Sequence, residues 1–172
     1  MTNNDVLLRM RYVFDLADTK LVELSTSVGG EVELGQVKRW LKQEEDPYFK
    51  PCPDLQLATI LNGFIVLHRG KQEGQQMPNE KKLNNNIILR KLKIALNLKS
   101  DDIIAMLSAA GLTISDHELS AFFRKKDHKH YRECKDQILR NFLEGLRLKH
   151  RTADASSTKK NINFNHPINK QS

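Results

Sequence analysis

The chain is written twice. An offset of 82 residues aligns Asn3–Arg69 with Asn85–Arg151 without a gap, and 12 of the 67 pairs are identical. Ordinary composition would give about four. The identical pairs are Asn3/Asn85, Asn4/Asn86, Leu7/Leu89, Leu16/Leu98, Gly29/Gly111, Cys52/Cys134, Asp54/Asp136, Leu57/Leu139, Leu61/Leu143, Gly63/Gly145, His68/His150 and Arg69/Arg151. Others keep their character, as in Val6/Ile88, Met10/Leu92, Val37/Leu119 and Trp40/Phe122. One supersecondary unit used twice is the reading that such periodicity supports.

The apolar period within each unit is helical. Val6, Leu7, Met10, Val13, Phe14 and Ala17 recur at the spacing of one helix face. A second helix, capped by Asp18, carries Leu21, Val22 and Leu24 and ends at Gly29-Gly30, where glycine suits the left-handed C-terminal position. A third carries Leu34, Val37, Trp40 and Leu41. A fourth starts near Pro53, a residue that costs nothing in a first turn, and carries Leu57, Ile60, Leu61, Phe64 and Leu67. The second unit repeats the plan. Ser100 caps its second helix, Ser115 and Glu118 form a capping box for the third, and the fourth runs from Arg132 or Cys134 to about Lys149. The predicted fold is all-α, a tandem duplication of a roughly four-helix unit. The first repeat spans residues 1–70, an exposed linker 71–84, the second repeat 85–151, and a disordered basic tail 152–172. The second and third helices could form a helix-turn-helix. The turn from Gly111 to Ser115 is long for that motif, and Asp116 and Glu118 open the would-be reading helix, so plain helix packing is the better reading.

Composition narrows the function classes. No apolar run approaches the roughly 18 residues of a membrane helix. The opening MTNNDVLLRM lacks a signal peptide's apolar core, which points to the cytoplasm, with Cys52 and Cys134 as reduced, small, partly buried side chains. No Gly-rich phosphate loop, nucleophile elbow or HExxH occurs, so no catalytic residue and no cofactor is predicted. Asp54 and Asp136 read as carboxylates stabilising the first turn of a helix, and His68 and His150 as side chains complementing a helix C-terminus.

The +7 net charge is unevenly placed. Residues 1–70 hold 8 Lys/Arg against 10 Asp/Glu, giving −2, whereas residues 85–151 hold 14 against 8, giving +6. The densest basic run, Arg124 to Arg132, joins the third and fourth helices of the second repeat. Arg124, Lys125, Lys126, Lys129 and Arg132 are the candidate nucleic-acid contacts, because clustered cations bind phosphate. Arg90, Lys91 and Lys93 could extend the patch, although helical spacing sends them to different faces. The matching run in the first repeat, Lys42 to Lys50, is acidic at its centre. His128, His130 and Cys134 have a spacing that a metal could use, but structural zinc wants four ligands and no fourth lies nearby, so no metal is predicted.

The words NNDVLLRMRYVFDL, YFKPCPDLQLATILNGF and NNNIILRKLKIALNL resemble the YehS-like family of bacterial proteins, whose members carry two copies of a domain of unknown function. The resemblance covers about residues 2–150. It implies a small cytoplasmic tandem helical protein and brings no catalytic residue or cofactor. Two partner classes follow from the residues themselves: DNA or RNA on the basic second repeat, or a protein docked on the unlike repeats.

Overall fold

The computed structural model describes residues 1–71 and 77–156. Among them are eight helices and no strand: α1 (Asn3–Phe14), α2 (Asp18–Thr26), α3 (Leu34–Trp40), α4 (Asp54–Arg69), α5 (Asn85–Ala95), α6 (Ser100–Ala109), α7 (Asp116–Ala121) and α8 (Asp136–Ser156). The chain divides into two units, with the break between Leu83 and Asn84. The starts of α1 to α4 recur 82 residues later in α5 to α8. No helix of the described residues is long and apolar enough to cross a membrane.

Each unit is held by the same packing. The second helix lies chiefly against the fourth, α2 on α4 and α6 on α8, and makes less contact with the third. That order of preference is unlike a free-standing helix-turn-helix. Gly63 and Gly145 explain the closeness. A Cβ on Gly63 would collide with the Leu24 carbonyl, and one on Gly145 with that of Met106. Leu7, Met10, Leu57 and Leu61 are fully buried in the first unit, as are Leu89, Leu92, Leu139 and Leu143 in the second. Trp40 and Phe122 are buried at matching places. Matching apolar positions therefore do matching work.

The turns also match. Asp15 and Asn97, one step past the ends of α1 and α5 or close to them, take positive φ of 51° and 53°. Aspartate and asparagine tolerate that left-handed region better than other non-glycine residues. Gly29 and Gly111 take φ of 80° and 92° after α2 and α6.

Several boundaries depart from expectation. Asp18 and Ser100 are the first residues of α2 and α6, not their caps. The cap positions are Ala17 and Lys99, and Asp102 Oδ2 accepts the Lys99 N–H at 2.7 Å. Pro53 is the N-cap of α4, and α8 starts at Asp136, past the predicted Arg132 or Cys134. The capping box of Ser115 and Glu118 is present, with bonds of 3.0 and 3.1 Å. Helix α8 continues to Ser156, so His150 sits inside it and the helix-end reading fails for that residue; His68 does lie in the last turn of α4. The rest of the predicted tail, 157–172, and linker residues 72–76 lie outside the described residues. The linker's far end is pinned rather than merely exposed. Asn62 Nδ2 donates to the Pro78 carbonyl at 3.0 Å and to Asn79 Oδ1 at 2.8 Å, and the Leu83 N–H donates to Asp54 Oδ2 at 2.9 Å.

Candidate functional site

The basic run forms an ordered loop between α7 and α8. Its ends are tied by the Arg132 N–H, which donates to the Ala121 carbonyl at 3.1 Å. Inside, the His128 N–H donates to the Lys125 carbonyl at 2.9 Å and the Tyr131 N–H to the His128 carbonyl at 3.0 Å. The first unit builds the same loop, with Asp46 N–H to Gln43 and Phe49 N–H to Asp46 at 2.9 and 3.0 Å. A side chain completes the turn in each. Asp46 Oδ1 accepts the Tyr48 N–H at 2.8 Å, and His128 Nδ1 accepts the His130 N–H at 3.0 Å. Geometry has been kept while the chemistry diverged.

What anchors the loop is an asparagine at the start of the unit's first helix. Asn86 Nδ2 donates to the carbonyls of Phe122 and Arg132 at 3.0 and 2.8 Å, and its Oδ1 accepts the Cys134 N–H at 2.9 Å. Asn4 does the same with Trp40, Lys50 and Cys52, each at 2.9 Å. The preceding asparagine adds a second hold. Asn85 Nδ2 donates to the Cys134 carbonyl at 2.9 Å and to Asp136 Oδ1 at 2.8 Å; Asn3 binds Cys52 and Asp54 alike. Four of the identical pairs, Asn3/Asn85, Asn4/Asn86, Cys52/Cys134 and Asp54/Asp136, thus form one clamp. The two Asp side chains do sit in first turns, but their partners include a side chain of another helix.

The cysteines are structural. Burial first, and then the neighbouring Asp54 or Asp136, push each thiol up to about 12, against which a backbone N–H from Leu57 or Leu139 works in the lowering direction. A thiol held protonated is a poor nucleophile and a poor metal ligand. Cys134 is buried while His128 and His130 are exposed on the loop. Among the described residues no group of three or more His, Cys, Asp or Glu could hold a metal ion.

The five candidate contacts divide into two groups. Lys129 and Arg132 line an open cleft of about 360 Å³, whose other walls are His117, Glu118, Ala121, His130 and Tyr131. The His117 and His130 rings stand 6.5 Å apart at 64°, and those of His128 and His130 5.5 Å apart at 42°. Glu118 is held ionised below the usual carboxylate range, first by the Ser115 backbone N–H, then by the Ser115 side chain, with a smaller pull from Arg132. Arg124, Lys125 and Lys126 do not line that cleft and follow Phe123 in the chain. At Phe123, α5 contributes two further cations. Arg90 Nη2 donates to the Phe123 carbonyl at 3.1 Å, and Lys93 Nζ stands 5.6 Å from the centre of the Phe123 ring. The expectation that Arg90, Lys91 and Lys93 face apart is therefore half right. Lys91 is buried, but Arg90 and Lys93, three residues apart, share one face. Sequence reading placed Glu118 in a capping box and Tyr131 within the basic run but did not bring α7 against that run; the fold-back of the loop onto α7 assembles the wall of His117, Glu118 and Tyr131.

The first unit presents a different surface at the same positions. Its exposed large apolar side chains are Leu8, Tyr12, Leu34, Tyr48 and Leu55, and their counterparts are Arg90, Ile94, Asp116, His130 and Gln137.

Comparison with known proteins agrees with the two-unit architecture. The family described as "Protein of unknown function (DUF1456)" matches residues 3–70 and again 85–152, and the chain belongs to it. The chain is 42% identical over 147 residues to "Uncharacterized protein YehS" of Escherichia coli (strain K12), covering 85% of this chain and 94% of that protein. No solved structure matches.

Proposed function

We propose that this two-repeat chain is a non-enzymatic cytoplasmic binding protein whose second repeat contacts the phosphate backbone of DNA or RNA. Arg124, Lys125, Lys126, Lys129 and Arg132 make the contacts, and Arg90 and Lys93 extend them. The observation that carries the reading is the ordering of these cations on one closed loop and the helix face beside it, where the equivalent loop of the first repeat is acidic. Phosphate contacts of this kind position a protein and do not read bases, so binding is weakly sequence-selective.

Fluorescence anisotropy with a labelled duplex over a range of salt tests the reading. Each neutralised phosphate steepens the log–log salt slope by about 0.9 for duplex DNA. Charge reversal in the triple variant K125E/K126E/K129E should flatten the slope and weaken all sequences alike. Absence of binding by the unmutated protein at low salt, to duplex and single strand, would remove the proposal. A protein partner would then take its place, a reading favoured by the exposed Leu8, Tyr12 and Tyr48 of the first repeat, at 49%, 54% and 67% exposure.

A further inference from the structure

Within that reading, on which this step rests, we infer that the cleft between α7 and the basic loop is a subsite for one unpaired nucleotide, so that the preferred ligand is single-stranded. Two observations converge. The cleft's volume, about 360 Å³, is at the small end of ligand sites and suits a single nucleotide rather than a duplex groove. Its walls combine two cations, Lys129 and Arg132, with the flat side chains of His117, His130 and Tyr131. Cations beside stacking surfaces are the combination that single-strand binders use, because a base freed from pairing offers its π-face while its phosphate needs a counter-charge.

Glu118 orients the ligand. Its Oε1 is tied to the Ser115 N–H at 3.1 Å, and the group is held ionised. An anion there repels phosphate, which the two cations of the lining, Lys129 and Arg132, attract; Arg132 also helps hold Glu118 ionised. Toward Glu118 only a hydrogen-bond donor is tolerated, such as a base amine. In a duplex the base faces are stacked on their neighbours and unavailable to His117, His130 and Tyr131, so the cleft's gain from a double-stranded ligand is chiefly phosphate contact.

The equivalent place in the first repeat lacks this set. Gly35, Gln36, Pro47, Tyr48, Phe49 and Lys50 stand where His117, Glu118, Lys129, His130, Tyr131 and Arg132 stand in the second. One histidine is gone to glycine and one cation to proline. The inferred subsite is confined to the second repeat.

The test is a competition on the intact protein. A labelled oligodeoxyadenylate, the riboadenylate of the same length and a duplex with the same number of phosphates are titrated by anisotropy at one salt concentration. The two single strands should bind about tenfold tighter than the duplex, the value expected from one stacked base. The DNA and RNA strands separate the two sources of an unpaired nucleotide, and a preference for either supports the subsite. Tyr131→Ala should lose about tenfold on single strands and leave the duplex unchanged, while Tyr131→Phe should retain both, since phenylalanine keeps the ring face on which a base stacks. Duplex bound as tightly as single strand by the unmutated protein would overturn the inference and leave the phosphate-contact reading standing. So would displacement of the single strand by inorganic phosphate at matched ionic strength, which would mark an anion site with no base component. If no nucleic acid binds, both readings fall together.

Discussion

Replacing Asn4 by alanine should destabilise the first repeat by roughly 4–6 kcal/mol. The side chain is 9% exposed and makes three bonds of 2.9 Å, to the carbonyls of Trp40 and Lys50 and from the N–H of Cys52. A net contribution of about 1 kcal/mol per bond gives about 3. Cys52 is buried, and its stranded N–H would add a desolvation penalty of about 1–3 kcal/mol; Lys50 is exposed, so water can serve its carbonyl. Urea unfolding measures the loss, and Trp40, the chain's one tryptophan, reports from the clamp itself through its fluorescence. Asn86→Ala should cost the second repeat a similar amount, followed by helix circular dichroism. A loss under about 1 kcal/mol for Asn4→Ala would refute the reasoning, because it would mean the loop is held by something other than this side chain.

Gly63→Ala and Gly145→Ala should each destabilise by about 1–3 kcal/mol despite alanine's better helix propensity, since the methyl group has no room at the neighbouring backbone; urea midpoints check this. Phe122→Ala should cost about 3–5 kcal/mol in the same titration, and a loss under about 1 would make the ring peripheral. Both cysteines should resist alkylation in the folded protein and react readily in urea. Because the native thiols keep their protons to about 12 while an unfolded thiol releases its proton near 9.0, the folded state binds more protons between those values. Their contribution to stability is therefore fully present below pH 9 and declines as pH rises toward 12, which thermal melts across that window would detect.

The helices were legible because each unit repeats its apolar positions, and a match such as Leu61 with Leu143 identifies a core place without any structure. Capping was legible where the pattern is a local one, as at Ser115 and Glu118. It was misplaced by one residue at Asp18 and Ser100, where the neighbouring alanine and lysine give no cap signal. The clamp was visible only as a coincidence of identical letters. Asn4 reaches residues 36 to 48 positions away, and nothing local in the chain records such a partner. The same holds for the candidate site. Its cations stand out in the sequence as one run, but the cleft's far wall comes from α7 through the bond between Arg132 and Ala121. Arg90 and Lys93 join through Phe123, and helical spacing alone does not say which of three neighbouring cations turns inward.

One asparagine grips both ends of each interhelix loop, since Asn86 holds the Phe122 and Arg132 carbonyls and Asn4 holds those of Trp40 and Lys50. The span between the grips behaves as a cartridge. Its contents can be exchanged without touching the core, and the two copies show the exchange already made, with an acidic insert in one socket and a basic insert in the other. Transplanting residues 124–131 into the place of 42–49 should therefore give a folded chain that displays the basic loop twice.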